Sequence, residues 1–202
     1  MRIMEGTDKG EVYRGVSRPF LRKNLRSNEL MNVQKGTLYF FTGLAGAGKS
    51  TLGGLFYERL KQRKPNAVLI DGHIARENAV ASGAIQRDYS NAARLAGARG
   101  MFANCKALTE QGTDVVCCSM SLFDEIRNWN RANIENYKEI YIRADMDVLR
   151  QRRNNLYSGK EHQVVGIDLP WEEPKTPDVV IYNDGAESPE KIVTYLEGVL
   201  FK

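Results

Sequence analysis

The chain has 202 residues, 42% hydrophobic and 27% charged, which suits one globular domain with a real core. It contains no apolar run of about 18 residues, and its first thirty lack the apolar stretch of a secretory signal, so the expectation is a cytoplasmic protein without membrane contact. The net charge of +4 does not mark a nucleic-acid binder: residues 1–35 carry eight basic and four acidic side chains, the whole excess, and the rest is neutral.

Residues 1–35 show little hydrophobic periodicity and read as a basic N-terminal extension. It is either a solvated arm or a contact for an anionic substrate or a second subunit, the latter implying a homodimer. The domain proper is expected over 36–202. There, short apolar runs alternate with helical patterns, the mark of a parallel sheet covered by helices. A first strand is expected at 37–42, then a glycine-rich turn and a helix over 49–63 with Leu52, Leu55, Phe56 and Leu60 on one face. A second strand covers 67–71. A polar stretch leads to an alanine-rich helix over 90–111, then a third strand at 114–119. A helix or irregular segment follows at 123–136, a fourth strand at 139–143 and an arginine-rich helix at 146–153. A loop over 154–177 precedes the last strand at 179–182 and a closing helix at 189–200. A loop of that length in a compact domain suggests a lid over an active site. Cys105, Cys117 and Cys118 have neither metal-ligand nor disulfide spacing and read as small buried hydrophobes.

Gly43-Leu44-Ala45-Gly46-Ala47-Gly48-Lys49-Ser50-Thr51 follows the first strand and opens a helix. The glycines let backbone N–H groups and a helix N-terminus wrap a polyphosphate. Lys49 then supplies a point charge to the β- and γ-phosphates of ATP, and Ser50 a hydroxyl to Mg²⁺. Asp71 ends the second strand, where α/β sheets bind ligands; it would orient a substrate hydroxyl or hold Mg²⁺ through water, or else cap the next helix. His73 is a surface histidine or a substrate contact. Arg76, Arg87 and Arg94 are either solvated charges or anion ligands. Arg150, Arg152 and Arg153 form a solvated helix face or lid arginines that neutralise the transferring phosphoryl group. The N-K-x-D and D-x-x-G elements of a GTPase are absent.

These residues resemble the adenylylsulfate kinase family. The phosphate loop is similar to its GLSGSGKST, and Leu69-Ile70-Asp71-Gly72-His73-Ile74-Ala75-Arg76 to its LDGDxxR. Asn91 and Arg94 fall near its N-I-R-R element. Leu156-Tyr157, Val165-Gly166-Ile167-Asp168 and Glu173-Pro174-Lys175-Thr176-Pro177-Asp178 resemble its lid. The resemblance spans about 37–202 and implies a three-layer P-loop fold with a five-stranded parallel sheet. It also implies transfer of the ATP γ-phosphoryl to the ribose 3′-hydroxyl of a small nucleotide, adenylyl sulfate. Nucleotide contacts would come from Gly43, Ala45, Gly46, Ala47, Gly48, Thr51, Arg150 and Arg152, substrate contacts from His73, Arg76, Arg87, Asn91, Arg94, Ser119, Val165 and Gly166.

The departures fall where the acceptor is read. His73 replaces the second aspartate of D-G-D, Gln86-Arg87-Asp88-Tyr89-Ser90 replaces F-S-x-x-D-R, and Val164 replaces the lid aromatic that stacks on adenine. The chain also resembles a capsule-associated branch of the family that phosphorylates cytidine diphosphoramidate. His73 further admits a nucleotide-binding regulator that has lost catalysis.

Overall fold

A computed structural model describes residues 34–121, 123–158 and 163–201, so all but the last two residues of the basic extension lie outside the described residues. Strand β1 (Thr37–Thr42) is buried on both faces. Leu38 and Phe40 point into one core, and Tyr39 and Phe41 into the other. That double burial explains why its sequence is a continuous apolar run with no polar alternation. Helix α1 (Lys49–Arg63) follows, then β2 (Val68–Asp71), α2 (Gly72–Ala81) and α3 (Asn91–Glu110). The chain continues through β3 (Val115–Cys118), α4 (Asp124–Asn133), β4 (Asn136–Arg143), α5 (Met146–Arg152), α6 (Asn154–Tyr157), β5 (Val179–Tyr182) and α7 (Pro189–Leu200).

The strands form one parallel sheet in the order β2-β3-β1-β4-β5. One core holds Phe41, Phe56, Ile142 and Leu196, beneath α1 and α7; the other holds Phe40, Phe102, Val115 and Ile126, beneath α3 and α4. The three-layer expectation holds. The order places β1 between β3 and β4, so the turn after β1 opens where the connections diverge to the two sides, the usual ligand crevice of such sheets.

Two elements differ from the sequence expectation. The polar stretch after β2 is helix α2, which buries none of its residues and so carries no apolar stripe to read. A short helix, α6, occupies the start of the expected loop. The three cysteines are free and buried, as expected.

Candidate active site

The turn from β1 to α1 is built for an anion. Gly43 has φ 143° and Gly48 φ 105°, a region L side chains rarely adopt. Space forbids side chains there as well: a Cβ at Gly43 would lie 2.2 Å from the Ile142 carbonyl oxygen, and one at Gly48 2.4 Å from Asn183 Nδ2. Gly48 is the N-cap of α1 and offers no side-chain acceptor to the first turn. The opening N–H groups of the helix are therefore left for a ligand. The carbonyls are tied back instead. Tyr157 Oη donates to the Ala45 carbonyl (2.8 Å), Asn183 Nδ2 to that of Ala47 (2.7 Å), and Arg152 Nη1 to those of Gly46 (3.4 Å) and Asn183 (3.0 Å). With the carbonyls turned out and held, the loop presents donors inward.

Lys49 Nζ donates to the Leu44 carbonyl (2.9 Å). Burial pulls its ammonium down to about 8, Arg153 nearby pulls the same way, and Cys118 and Asp71 oppose. The side chain is thus packed close into the loop at a cost that a polyphosphate would remove. Ser50 Oγ donates to Asp71 Oδ2 (2.5 Å), while Asp71 Oδ1 accepts from the N–H groups of His73 (2.9 Å) and Ile74 (3.2 Å). The capping reading of Asp71 is therefore met, and it takes up only part of the carboxylate. One oxygen caps α2, and the other faces the phosphate loop. The alcohol and carboxylate are hard oxygen donors of the kind Mg²⁺ takes. Among the described residues no three His, Cys, Asp or Glu side chains converge as a metal cage, which suits an ion held chiefly by phosphates and water. Thr51 is exposed in the first turn of α1, and His73 is exposed on α2.

The arginines separate by what they are paired with. Arg76 Nη1 donates to the Asp88 carbonyl (2.8 Å); Arg94 donates through Nε to the Tyr89 carbonyl (2.7 Å) and through Nη2 to that of Gln163 (3.4 Å). Both guanidiniums lie over the ring of Tyr89, 5.6 and 5.4 Å from its centroid. Neither has a carboxylate partner among the described residues. Burial and the neighbouring Arg76 charge pull Arg94 below its ordinary value. Two like charges held together by carbonyls and one aromatic ring are an arrangement that an anion would stabilise. Arg87 is committed elsewhere, to Glu77 (2.8 Å) and Tyr89 Oη (2.9 Å). Arg150 pairs with Asp147 (3.1 Å). Arg152, and Arg153 against Gly46, are the ones on the phosphate loop. Asn91 opens α3 and is exposed; Ser119 follows β3, its hydroxyl beside Gly72.

The segment expected as a lid has two parts. Residues 163–169 form a turn: the Val164 N–H donates to Asp168 Oδ2 (3.0 Å), Val165 bridges to Leu169, and Gly166 (φ 87°) lies against Leu44 of the phosphate loop. Val164 and Val165 are both 5% exposed, so neither offers a face for stacking. The second part, 172–178, is pinned down. Arg127 donates to the Glu172 carbonyl and Arg131 to that of Thr176. Lys175 pairs with Asp124 (2.6 Å), and Asp178 Oδ2 accepts from the Glu139 N–H (2.9 Å). Sequence reasoning quoted Tyr89 and Tyr157 only within longer segments, gave neither a role of its own, and did not name Asn183. Tyr89 was within reach, as an aromatic amid three candidate arginines; Asn183 was not, since only the fold brings the end of β5 to the loop.

Residues 35–182 match the family described as adenylylsulphate kinase. A cytidine diphosphoramidate kinase of Campylobacter jejuni subsp. jejuni is 39% identical over 151 residues, covering 72% of this chain and 85% of the relative. An adenylyl-sulfate kinase of Deinococcus deserti is 32% identical over 160 residues, covering 76% and 85%. The fold is shared with the Mycobacterium tuberculosis APS kinase CysC solved with AMPPNP and APS, at a TM-score of 0.70 and 22% identity over 83% of this chain and 99% of that one. The chain belongs to the adenylylsulphate kinase family, a family of kinases on the P-loop fold.

Proposed function

We propose that this member of the adenylylsulphate kinase family transfers the γ-phosphoryl group of ATP to the ribose 3′-hydroxyl of an activated nucleotide. The observation that carries the reading is that Asp71 is bonded both to the phosphate loop and to the first turn of α2. Through Ser50 it touches the phosphate loop, and through the first turn of α2 it supports the helix that bears Arg76. ATP would lie in the loop, with Lys49, the amides of α1 and Arg152 on its phosphates. The acceptor's 5′ acidic group would sit on Arg76 and Arg94, which brings its ribose hydroxyl to Asp71. That carboxylate accepts the hydroxyl proton as oxygen attacks phosphorus in line. Ser50 would hold Mg²⁺, which when bound offsets charge on the phosphate oxygens.

Adenylyl sulfate and cytidine diphosphoramidate are the two acceptors to compare. The burial of Val164 favours the second: the aromatic platform that the family resemblance implies for adenine is replaced by a side chain packed into the core. The relative 39% identical to this chain carries that substrate in its name. The test is ADP release with Mg·ATP and each acceptor, repeated with Lys49→Ala. A higher kcat/KM for adenylyl sulfate would return the chain to sulfate assimilation, and a higher value for cytidine diphosphoramidate would place it in capsule building. Turnover with neither acceptor would leave the regulator reading in its place, and turnover indifferent to Lys49 would overturn the role given to the phosphate loop.

A further inference from the structure

A second cavity lies beside the phosphate loop, between the end of β4 and the 163–171 turn, with a volume of about 660 Å³. Its wall is apolar where Leu44, Met146, Ile167 and Trp171 contribute, and Ile167 is 45% exposed. Trp171 is braced edge-on by Tyr141, with ring centroids 5.5 Å apart. Among the described residues the charges on the rim are Arg143, Asp145, Asp168 and Glu173. Arg143 lies 3.6 Å from Glu173, which also accepts from Tyr141 Oη (2.7 Å), so the balance of the rim is acidic. The Arg76–Arg94 site has the opposite balance, and the same turn connects the two, since Arg94 donates to Gln163 and Gly166 lies against Leu44.

That segregation of charge sorts the parts of a nucleotide. Phosphates are drawn to the arginines and the loop and repelled from the acidic rim. A flat, neutral heterocycle fits the apolar wall and the braced indole. Carboxylates accept from an exocyclic amine, so cytosine or adenine suits this rim, and uracil turns a carbonyl oxygen toward it. We propose that this cavity receives the amino-bearing base of the acceptor nucleotide, with Trp171 as a specificity-determining wall. The proposal rests on the phosphotransfer reading only in assigning the bound nucleotide the role of acceptor.

Trp129 and Trp171 are the chain's two tryptophans, and Trp129 lies on α4, partly exposed and outside the site. A Trp129→Phe chain therefore reports Trp171 fluorescence alone. It is titrated without ATP with CMP, AMP, UMP and ribose 5-phosphate. Saturable quenching is expected with CMP or AMP, binding roughly tenfold weaker with UMP, and no change with the sugar phosphate. In parallel, Trp171→Ala is expected to raise KM for the acceptor roughly tenfold with KM for ATP unchanged, and Trp171→Phe to recover most of it. Equal responses to ribose 5-phosphate and to the nucleotides, or silence with all of them, overturn the proposal. So does an unaltered acceptor KM in Trp171→Ala. Base-dependent quenching in a protein that phosphorylates no nucleotide would sustain the cavity and sink the phosphotransfer reading instead.

Discussion

Lys49 shows how a single residue couples the empty and occupied states of the loop. Burial holds its pKa at about 8 in the free protein, and a bound polyphosphate raises it by supplying the missing counter-charge. Below about 8 the lysine is charged in both states and ATP affinity is flat. Above it, binding must take up a proton, and affinity falls by up to tenfold per pH unit until the bound-state value is reached. Calorimetric Kd values from about pH 7.5 to 9.5 should trace that break, and Lys49→Met should abolish it. Asp71 separates two roles within one side chain. Asparagine can still accept from His73 and Ile74, so Asp71→Asn should alter stability by less than about 0.5 kcal/mol while lowering kcat roughly a hundredfold. Asp71→Ala should lose the same activity and about 1 kcal/mol of stability as well. Urea unfolding beside turnover distinguishes the two effects.

Among the elements, the phosphate loop depends on helices and strands distant in sequence. Its glycines permit the turn, but Tyr157 of α6, Arg152 of α5 and Asn183 after β5 hold its carbonyls outward. Tyr157→Phe removes one such hydrogen bond, at about 1 kcal/mol, and should raise KM for ATP roughly fivefold with kcat little changed. A wild-type KM in that variant would mean that the glycines, Arg152 and Asn183 hold the loop without Tyr157. Helix α2 makes the complementary point. It buries nothing, so it exists because Asp71 caps it, and it carries Arg76 toward Arg94 on α3. The two arginines, 18 positions apart, meet over Tyr89.

For the molecule as a whole, the charged layer between α4, β4 and the 172–178 segment sets the frame of the cavity. Arg127 is 3% and Glu139 1% exposed. Arg127 approaches Glu139 (3.7 Å) and donates to the Ser121 carbonyl (2.8 Å), and Arg131 pairs with Glu139 (2.8 Å). Burial pushes the Glu139 carboxyl up even so, because desolvation outweighs its cationic partners. Arg127→Met would leave Glu139 short of one cation and free the Glu172 carbonyl, and a loss of about 3–5 kcal/mol is expected. Urea unfolding checks it, and Glu139→Gln in the same chain should restore part of the loss. The effect should reach acceptor binding too, since Trp171 stands immediately before the pinned segment.

The phosphate loop, Asp71 and the strands were legible in the sequence because each is a local device. A glycine turn needs only its own residues, and strands buried on both faces read as apolar runs wherever the chain takes them. The sheet order and the pairing of each arginine were decided by tertiary structure. Arg76, Arg87 and Arg94 look alike in sequence, as do Arg150, Arg152 and Arg153. Among the described residues, the fold spends Arg87 on Glu77 and Arg150 on Asp147 and gives Arg76 and Arg94 no carboxylate. The fate of position 164 was decided in the same way. A valine in place of an aromatic announces a changed pocket, but only packing shows that it has left the pocket for the core, with Trp171 lining the cavity nearby. Electrostatic pairing and burial depend on distance in space, and that distance exists only once the chain is folded.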